Sequence, residues 1–155
     1  MKRVAPAILI LLLASACSTN DGFIDQRTLG CDSGEDISVR AGIVGITAGM
    51  ERGTDLLQLG VEVSNNAHHD VTVKSVRAEQ VSDERSRYRV LPVHRQFDQT
   101  IGEGQDHLFE LPMDGRGFVD PVSRTAVRFE MALSVTVALS NGDSYRCVFS
   151  VSPPI

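Results

Sequence analysis

The sequence has no tryptophan, three cysteines in 155 residues, and aromatic residues make up 5% of it. Without tryptophan it lacks the ring that packs on the inter-sheet disulfide of antibody domains. So few cysteines exclude a small scaffold held mainly by disulfides, and an odd number cannot all pair within one chain. Positive charge is also short: fifteen Lys and Arg stand against twenty Asp and Glu, a formal charge of −5. That balance argues against a nucleic-acid partner, because phosphate binding needs clustered Lys and Arg. Nor does the sequence hold a long apolar run. The stretch Val4 to Leu13, broken by Pro6, is ten residues long, where a helix crossing a bilayer needs about 20. What remains, 42% hydrophobic and 23% charged residues, is the composition of a globular chain of one domain with at most an appendage.

The appendage is at the start. Lys2 and Arg3 precede the apolar stretch, and the small residues Ala14, Ser15 and Ala16 follow it. This is the layout of a secretory signal peptide over residues 1–16. Ala14-Ser15-Ala16 suits an ordinary signal peptidase. The run Leu13-Ala14-Ser15-Ala16-Cys17 also resembles the bacterial lipobox, departing from it at Ala14, where leucine is usual. The resemblance implies that Cys17 is the lipidated first residue of the mature chain. It further implies a periplasm-facing anchor in a bacterial cell envelope, with Ser18 permitting transport to the outer membrane. Cysteine parity favours this reading: a lipidated Cys17 leaves Cys31 and Cys147 as an even pair, expected to form an end-to-end disulfide. Loss of Lys2 and Arg3 leaves thirteen cations and twenty acids, a charge of −7, from which no attraction to anionic membrane surfaces is expected. Residues 17–30 are polar and without sustained periodicity, the character of a tether, although Phe23 and Ile24 could begin an edge strand. The domain itself is expected over residues 31–155.

Within it the period is two. Leu57, Leu59, Val61 and Val63 alternate with Gln58, Gly60, Glu62 and Ser64, which predicts a half-buried strand. Asn65 to Asp70 is turn chemistry. Val71 and Val73 share one parity while Val76 and Ala78 take the other, so a β-bulge is expected near Lys74-Ser75. Thr125 to Leu139 carries seven apolar residues at successive odd positions from Val127 and predicts the longest strand. The last strand sets Tyr145, Cys147, Phe149 and Val151 on one face and ends at Pro153-Pro154. Asn141-Gly142 signals a two-residue hairpin turn. Such a turn would pair odd with even positions and turn the two apolar sets apart. An odd-length loop of three or five residues, pairing Val137 with Cys147 and Leu139 with Tyr145, or a compensating bulge, is therefore expected. Further strands are expected over Ile37 to Thr47, kinked or switching sheets at Gly42 and Gly45, over Tyr88 to Phe97, and over His107 to Leu111. Gly102 to Asp106 and Met113 to Gly117 read as loops. About seven strands with regular turn signals indicate an all-β antiparallel sandwich. The stretch from Leu57 through Asn65-Asn66 to Val76 is similar to the strand–loop–strand of bacterial immunoglobulin-like lipoprotein domains, which implies an immunoglobulin-like sandwich and no functional residue.

Catalytic and metal signatures are missing. His68, His69, His94 and His107 form no HxH or HExxH, there is no CxxC, and His68-His69-Asp70 reads as a solvated turn. Met50, Met113 and Met131 invite comparison with periplasmic copper carriers, but the His-x-Met pair of those carriers is lacking, and Met131 falls in a core set. No serine sits in a GxSxG elbow, no glycine-rich phosphate cradle joins a strand to a helix, and neither Asp83-Glu84 nor Asp32, Glu35 and Asp36 makes a calcium loop. What stands out is a locally basic segment, Arg85, Arg87, Arg89 and Arg95 with Tyr88, residue types favoured at protein interfaces. The expectation is a non-enzymatic, lipid-anchored envelope domain without a cofactor. It would bind another envelope protein through loops or an edge strand. A periplasmic carrier or sensor of a small ligand or metal is the alternative.

Overall fold

The computed structural model describes residues 27–32, 34–49, 54–81 and 87–153. They form nine strands: β1 (Arg27–Cys31), β2 (Ile37–Ala48), β3 (Asp55–Asn65), β4 (Val71–Gln80), β5 (Arg89–Val90), β6 (Val93–Ile101), β7 (Asp106–Arg116), β8 (Met131–Leu139) and β9 (Ser144–Val151). A five-stranded sheet has the order β1-β9-β8-β4-β6, and a four-stranded sheet the order β2-β3-β7-β5. All pairings are antiparallel. The two sheets pack face to face, as the alternation requires: each strand has one apolar side to remove from water.

Leu57, Leu59, Val61 and Val63 of β3 are fully buried and meet Val73, Val76, Leu133, Val135 and Phe149 in one core. Each such side chain contributes roughly 1.5–3 kcal/mol by burial. The parity reversal in β4 is accommodated at Lys74. Val73 faces Leu139 and Ser75 faces Ala138, so Lys74 is the extra residue and Val73 and Val76 both point inward. In β2 the two glycines bracket a second bulge. Ile43 faces Leu59 and Gly45 faces Gln58, which leaves Val44 unpaired, and the strand kinks without changing sheets.

The β8–β9 hairpin has an odd-length loop, Ser140-Asn141-Gly142. Leu139 N–H bonds Asp143 O at 2.9 Å, Gly142 N–H bonds Leu139 O at 3.2 Å, and Gly142 takes φ 95°. A three-residue loop ending on a left-handed glycine is a standard hairpin connection. Odd positions pair with odd, as the core demands, but the register differs from that expected. Val137 faces Tyr145 and Val135 faces Cys147, because the three-residue loop sets each β9 residue two positions nearer the start of β8 than a five-residue loop would.

Four boundaries differ from the sequence expectation. Residues 27–30 belong to β1, which hydrogen-bonds along β9. The stretch from Tyr88 to Phe97 is two strands in different sheets: β5 pairs with β7 and β6 with β4. Pro92, which has no N–H, marks the crossing, and Leu91 N–H bonds Asp114 O at 2.8 Å just before it. β7 runs on through Met113–Arg116, expected to be loop, because β5 supplies its partner there. β8 begins at Met131 and not near Thr125, because residues 117–130 leave the sheet in a hairpin-like excursion bridged at Val119 and Ala126. Phe129 is buried all the same.

Cys31 and Cys147 lie directly opposite each other in β1 and β9 and form a disulfide across a sequence separation of 116. Every residue of β1 is exposed, so this strand is held by its ladder to β9 and by the bridge. Closing so long a loop removes unfolded-state entropy equivalent to about 4–5 kcal/mol in the chain-entropy model. Replacing both cysteines by alanine is predicted to lower unfolding free energy by up to that amount, read as a lower urea midpoint. A loss below about 1 kcal/mol would contradict the constraint.

Candidate functional site

The best-built surface feature is the end of the sandwich where β1 begins. Arg27 pairs with Ser150 near the close of β9, and Val151 pairs with Met131 at the start of β8. β4 ends here at Gln80, whose side chain accepts from Val90 N–H at 3.1 Å and donates to Tyr88 O at 2.9 Å. That amide joins the end of β4 in one sheet to β5 in the other. The excursion over residues 117–130 lies at the same end, between β7 and β8.

This excursion is fixed from beneath. The buried carboxylate of Asp55 accepts from Phe118 N–H at 2.8 Å and Val119 N–H at 3.1 Å. Removing it would leave buried donors unsatisfied, at a cost of about 1–3 kcal/mol. Phe118 packs between Tyr88, ring centroids 5.4 Å apart, and Phe129, 4.7 Å apart. Tyr88 Oη donates to Arg128 O at 3.0 Å. Gly115 makes the room: a Cβ there would lie 2.7 Å from Phe118 Cε2 and 2.9 Å from Leu57 Cδ1.

The tip is fixed from above. Asp120 Oδ1 accepts from Val122 N–H at 2.8 Å and Ser123 N–H at 2.7 Å. Arg124 N–H closes on Asp120 O at 2.8 Å, with Arg124 left-handed at φ 55°. The bonds from Ser123 and Val122 hold the Asp120 carboxyl below the ordinary value of 3.8, since they favour its charged form. At the crest Val122 stands 91% exposed. At the same end of the sandwich Arg87, Arg89, Arg116, Arg124 and Arg128 are exposed, and Arg89 lies directly opposite Arg116 in the β5–β7 pairing.

The residues singled out from the sequence divide among several places. Cys17 and Arg85 lie outside the described residues, as do Met50, Asp83 and Glu84. Arg87 and Arg89 belong to the end just described. Tyr88 is half-buried with its ring in the aromatic cluster, and Arg95 is on β6 in the other sheet. The basic segment thus does not form one continuous strand face. His68 is exposed and its Nδ1 lies 3.0 Å from Glu103 Oε1. His69 offers its carbonyl to Asn65 Nδ2 at 2.8 Å. His94 lies beside Gln96, and His107 packs edge-on to Phe109. Met113 and Met131 are core residues. Among the described residues, no three His, Cys, Asp or Glu side chains converge as a metal set would.

Sequence reasoning missed Asp55 and Asp120. Asp120-Pro121 was the available signal for the tip, since aspartate before a turn accepts the N–H groups that follow it. Asp55 carried none: its partners lie 63 and 64 residues away.

The far end of the sandwich has the opposite character. Glu35 and Asp36 precede β2, Glu103 follows β6, and Asp143 precedes β9. Tyr145 reports them: its hydroxyl is pushed above its ordinary value by burial and by repulsion between the phenolate and the Asp143 and Asp36 carboxylates.

No family model matches the chain, and no curated protein matches it. Among solved structures, the X-ray structure of Northeast Structural Genomics Consortium target SoR45 is similar, with a TM-score of 0.42 and 9% identity over 76% of this chain and 86% of that one. The sandwich assignment rests on the strand pairing given above.

The Asp120 bonds carry a pH signature. A lowered folded-state value means that they are complete at neutral pH and are lost as pH falls through that value. The Val122 and Ser123 amide resonances are predicted to titrate together at a midpoint below 3.8. A midpoint at or above the ordinary aspartate value would contradict the capped tip.

Proposed function

We propose that the chain is a non-enzymatic, lipid-anchored domain of a bacterial cell envelope that binds another envelope protein through the free edge of β6. Two observations support the address. The Cys31–Cys147 bridge is of a kind that persists in oxidising compartments. It accounts for two of the three cysteines and leaves Cys17, behind its lipobox-like run, for acyl attachment. Two or more acyl chains on that residue hold a domain stably at a bilayer.

The edge strand carries the interaction reading. Each sheet has two ends, and the four edge strands differ. β5 is two residues long, β1 is five and bulged between Thr28 and Gly30, and β2 is bulged at Val44. β6 runs nine residues with no proline inside, at the end of the five-stranded sheet. Its pairing with β4 has one irregularity, Val73 facing Gln99 and Ser75 facing Gln96, which gives β6 an extra residue there. Edges of this length are usually blunted by lysine, proline or a bulge; β6 has neither lysine nor proline, and it pairs regularly on both sides of that irregularity, over Val93 to Gln96 and over Gln99 to Ile101. An extended segment of a partner can add to such an edge by main-chain hydrogen bonds. Specificity would come from the side chains that flank such a segment, here His94, Gln96 and Asp98 on the exposed face, since Val93 and Phe97 pack against the core.

Two measurements test the reading. The Cys17→Ser chain is predicted to leave the membrane fraction or to remain unprocessed, and continued attachment in processed form would contradict the anchor. A photo-crosslinking amino acid at Gln96 is predicted to capture the same envelope protein reproducibly in cells, whereas the same amino acid at Asn141, on the β8–β9 loop, captures none. Equal capture at both positions, or none at Gln96, would contradict edge recognition.

A further inference from the structure

We propose that the β1 end of the sandwich is a membrane-contact surface, in which exposed arginines bind the phosphates of an anionic phospholipid bilayer and aliphatic tips enter its headgroup layer. The proposal rests on the tether reading above for the direction from which the chain arrives.

Three observations converge on this end. The first is charge without partners. The ion pairs among the described residues are Arg40–Glu62, His68–Glu103, Lys74–Asp98 and Arg77–Glu79. Arg87, Arg89, Arg116, Arg124 and Arg128 belong to none of them, and all five are exposed. Arg89 and Arg116 face each other across an antiparallel pair, an arrangement of like charges that is unfavourable until an anion joins them. The described carboxylates nearby are mostly committed elsewhere. Asp55 and Asp120 accept backbone N–H groups, Glu79 binds Arg77, and Glu130 accepts from Ser150. Asp114 is left on the outer face. The cations are guanidinium groups, whose planar fork matches two phosphate oxygens.

The second observation is exposed apolar surface at the same end. Val122 is 91% exposed at the crest of a tip that Asp120 fixes, and Leu91 is 64% exposed between β5 and β6. Val81 is also exposed, with its N–H on Ala132 O at the start of β8. Aliphatic tips and arginines on one end suit an interface in which the apolar part sinks to the acyl boundary and the charged heads stay with the phosphates.

The third is direction. β1 begins at Arg27 on this end, ten residues after Cys17. That length of chain spans at most about 33–36 Å, so the end lies within reach of the surface that holds the anchor. Charge attraction fades within about 8 Å at physiological salt, so the arginines act in contact. The carboxylates Asp32, Glu35, Asp36, Asp70, Glu103 and Asp143 sit at the opposite end and are repelled from the same surface. A body of net charge −7 is thereby oriented by the separation of its charges, which a net figure conceals.

Residues 18–155 hold both sheets and the disulfide entire and carry no acyl group, so they test contact independently of anchoring. They are predicted to float with phosphatidylglycerol–phosphatidylcholine vesicles and to stay behind with pure phosphatidylcholine vesicles. Arg89→Gln with Arg116→Gln is predicted to weaken binding about thirtyfold, at about one kcal/mol per cation near an anionic surface. Val122→Asp, on a solvated tip, is predicted to weaken it as well. Asp143→Asn, at the far end, is predicted to leave it intact, and unchanged thermal unfolding shows each variant folded. Equal binding to both vesicles, or anionic binding that the double variant retains, would overturn the proposal. So would saturable binding of inorganic phosphate by these arginines with no vesicle binding. Vesicle binding together with a Cys17 that is never acylated in cells would overturn the anchor and leave this surface standing.

Discussion

The clasp between β1 and β9 governs how this molecule is arranged. β1 buries none of its five residues, so hydrophobic packing does not hold it. Its ladder to β9 and the Cys31–Cys147 bridge do. Because β1 is antiparallel to β9 and starts beside Ser150, the chain enters the sandwich at the end where β8 starts and β4 stops. Had β1 paired in the other direction, the same sequence would enter among the carboxylates.

That entry point gives meaning to features that are unremarkable one by one. An arginine pair, an exposed valine and an aspartate turn are common surface details. Here they share one end, and the excursion bearing them is fixed by a buried carboxylate, an aromatic stack and the side-chain space left empty at Gly115. Investment of that kind in a loop is what a contact surface needs, since its groups must be in place before the partner arrives. The edge of β6 offers a second surface of different chemistry, made of main-chain groups. In the reading proposed above, that end would meet a bilayer and the β6 edge another chain.

How much of this was legible in the sequence depends on how local its cause is. The odd-position run of β3 and the parity reversal in β4 are local, and both the strand and the Lys74 bulge follow from them. The hairpin loop was legible because two apolar sets had to reach one core, even against the Asn-Gly signal. Its register was not, since three- and five-residue loops preserve the same parity. The sheet change at Pro92, the extension of β7 to Arg116 and the early end of β8 depend on partners far along the chain. Glycines at 115 and 117 suggested a loop, yet Gly115 is a strand residue that admits Phe118. The basic segment was visible as composition, but its division between two sheets and its union with Arg116, Arg124 and Arg128 exist only in the folded molecule. The acidic total is blind in the same way: it sums charges that the topology keeps apart.

The central claim is a proposed orientation at a membrane, and it is most directly tested on the full chain with the proposed acyl group on Cys17. A small environment-sensitive fluorophore would be placed as an amino acid at Val122 in one sample and at Asn141, on the opposite end, in another. The account predicts quenching of the Val122 probe by lipids carrying a quencher near the headgroup, with the Asn141 probe unaffected. Equal quenching at the two ends, or quenching at Asn141 alone, would contradict it.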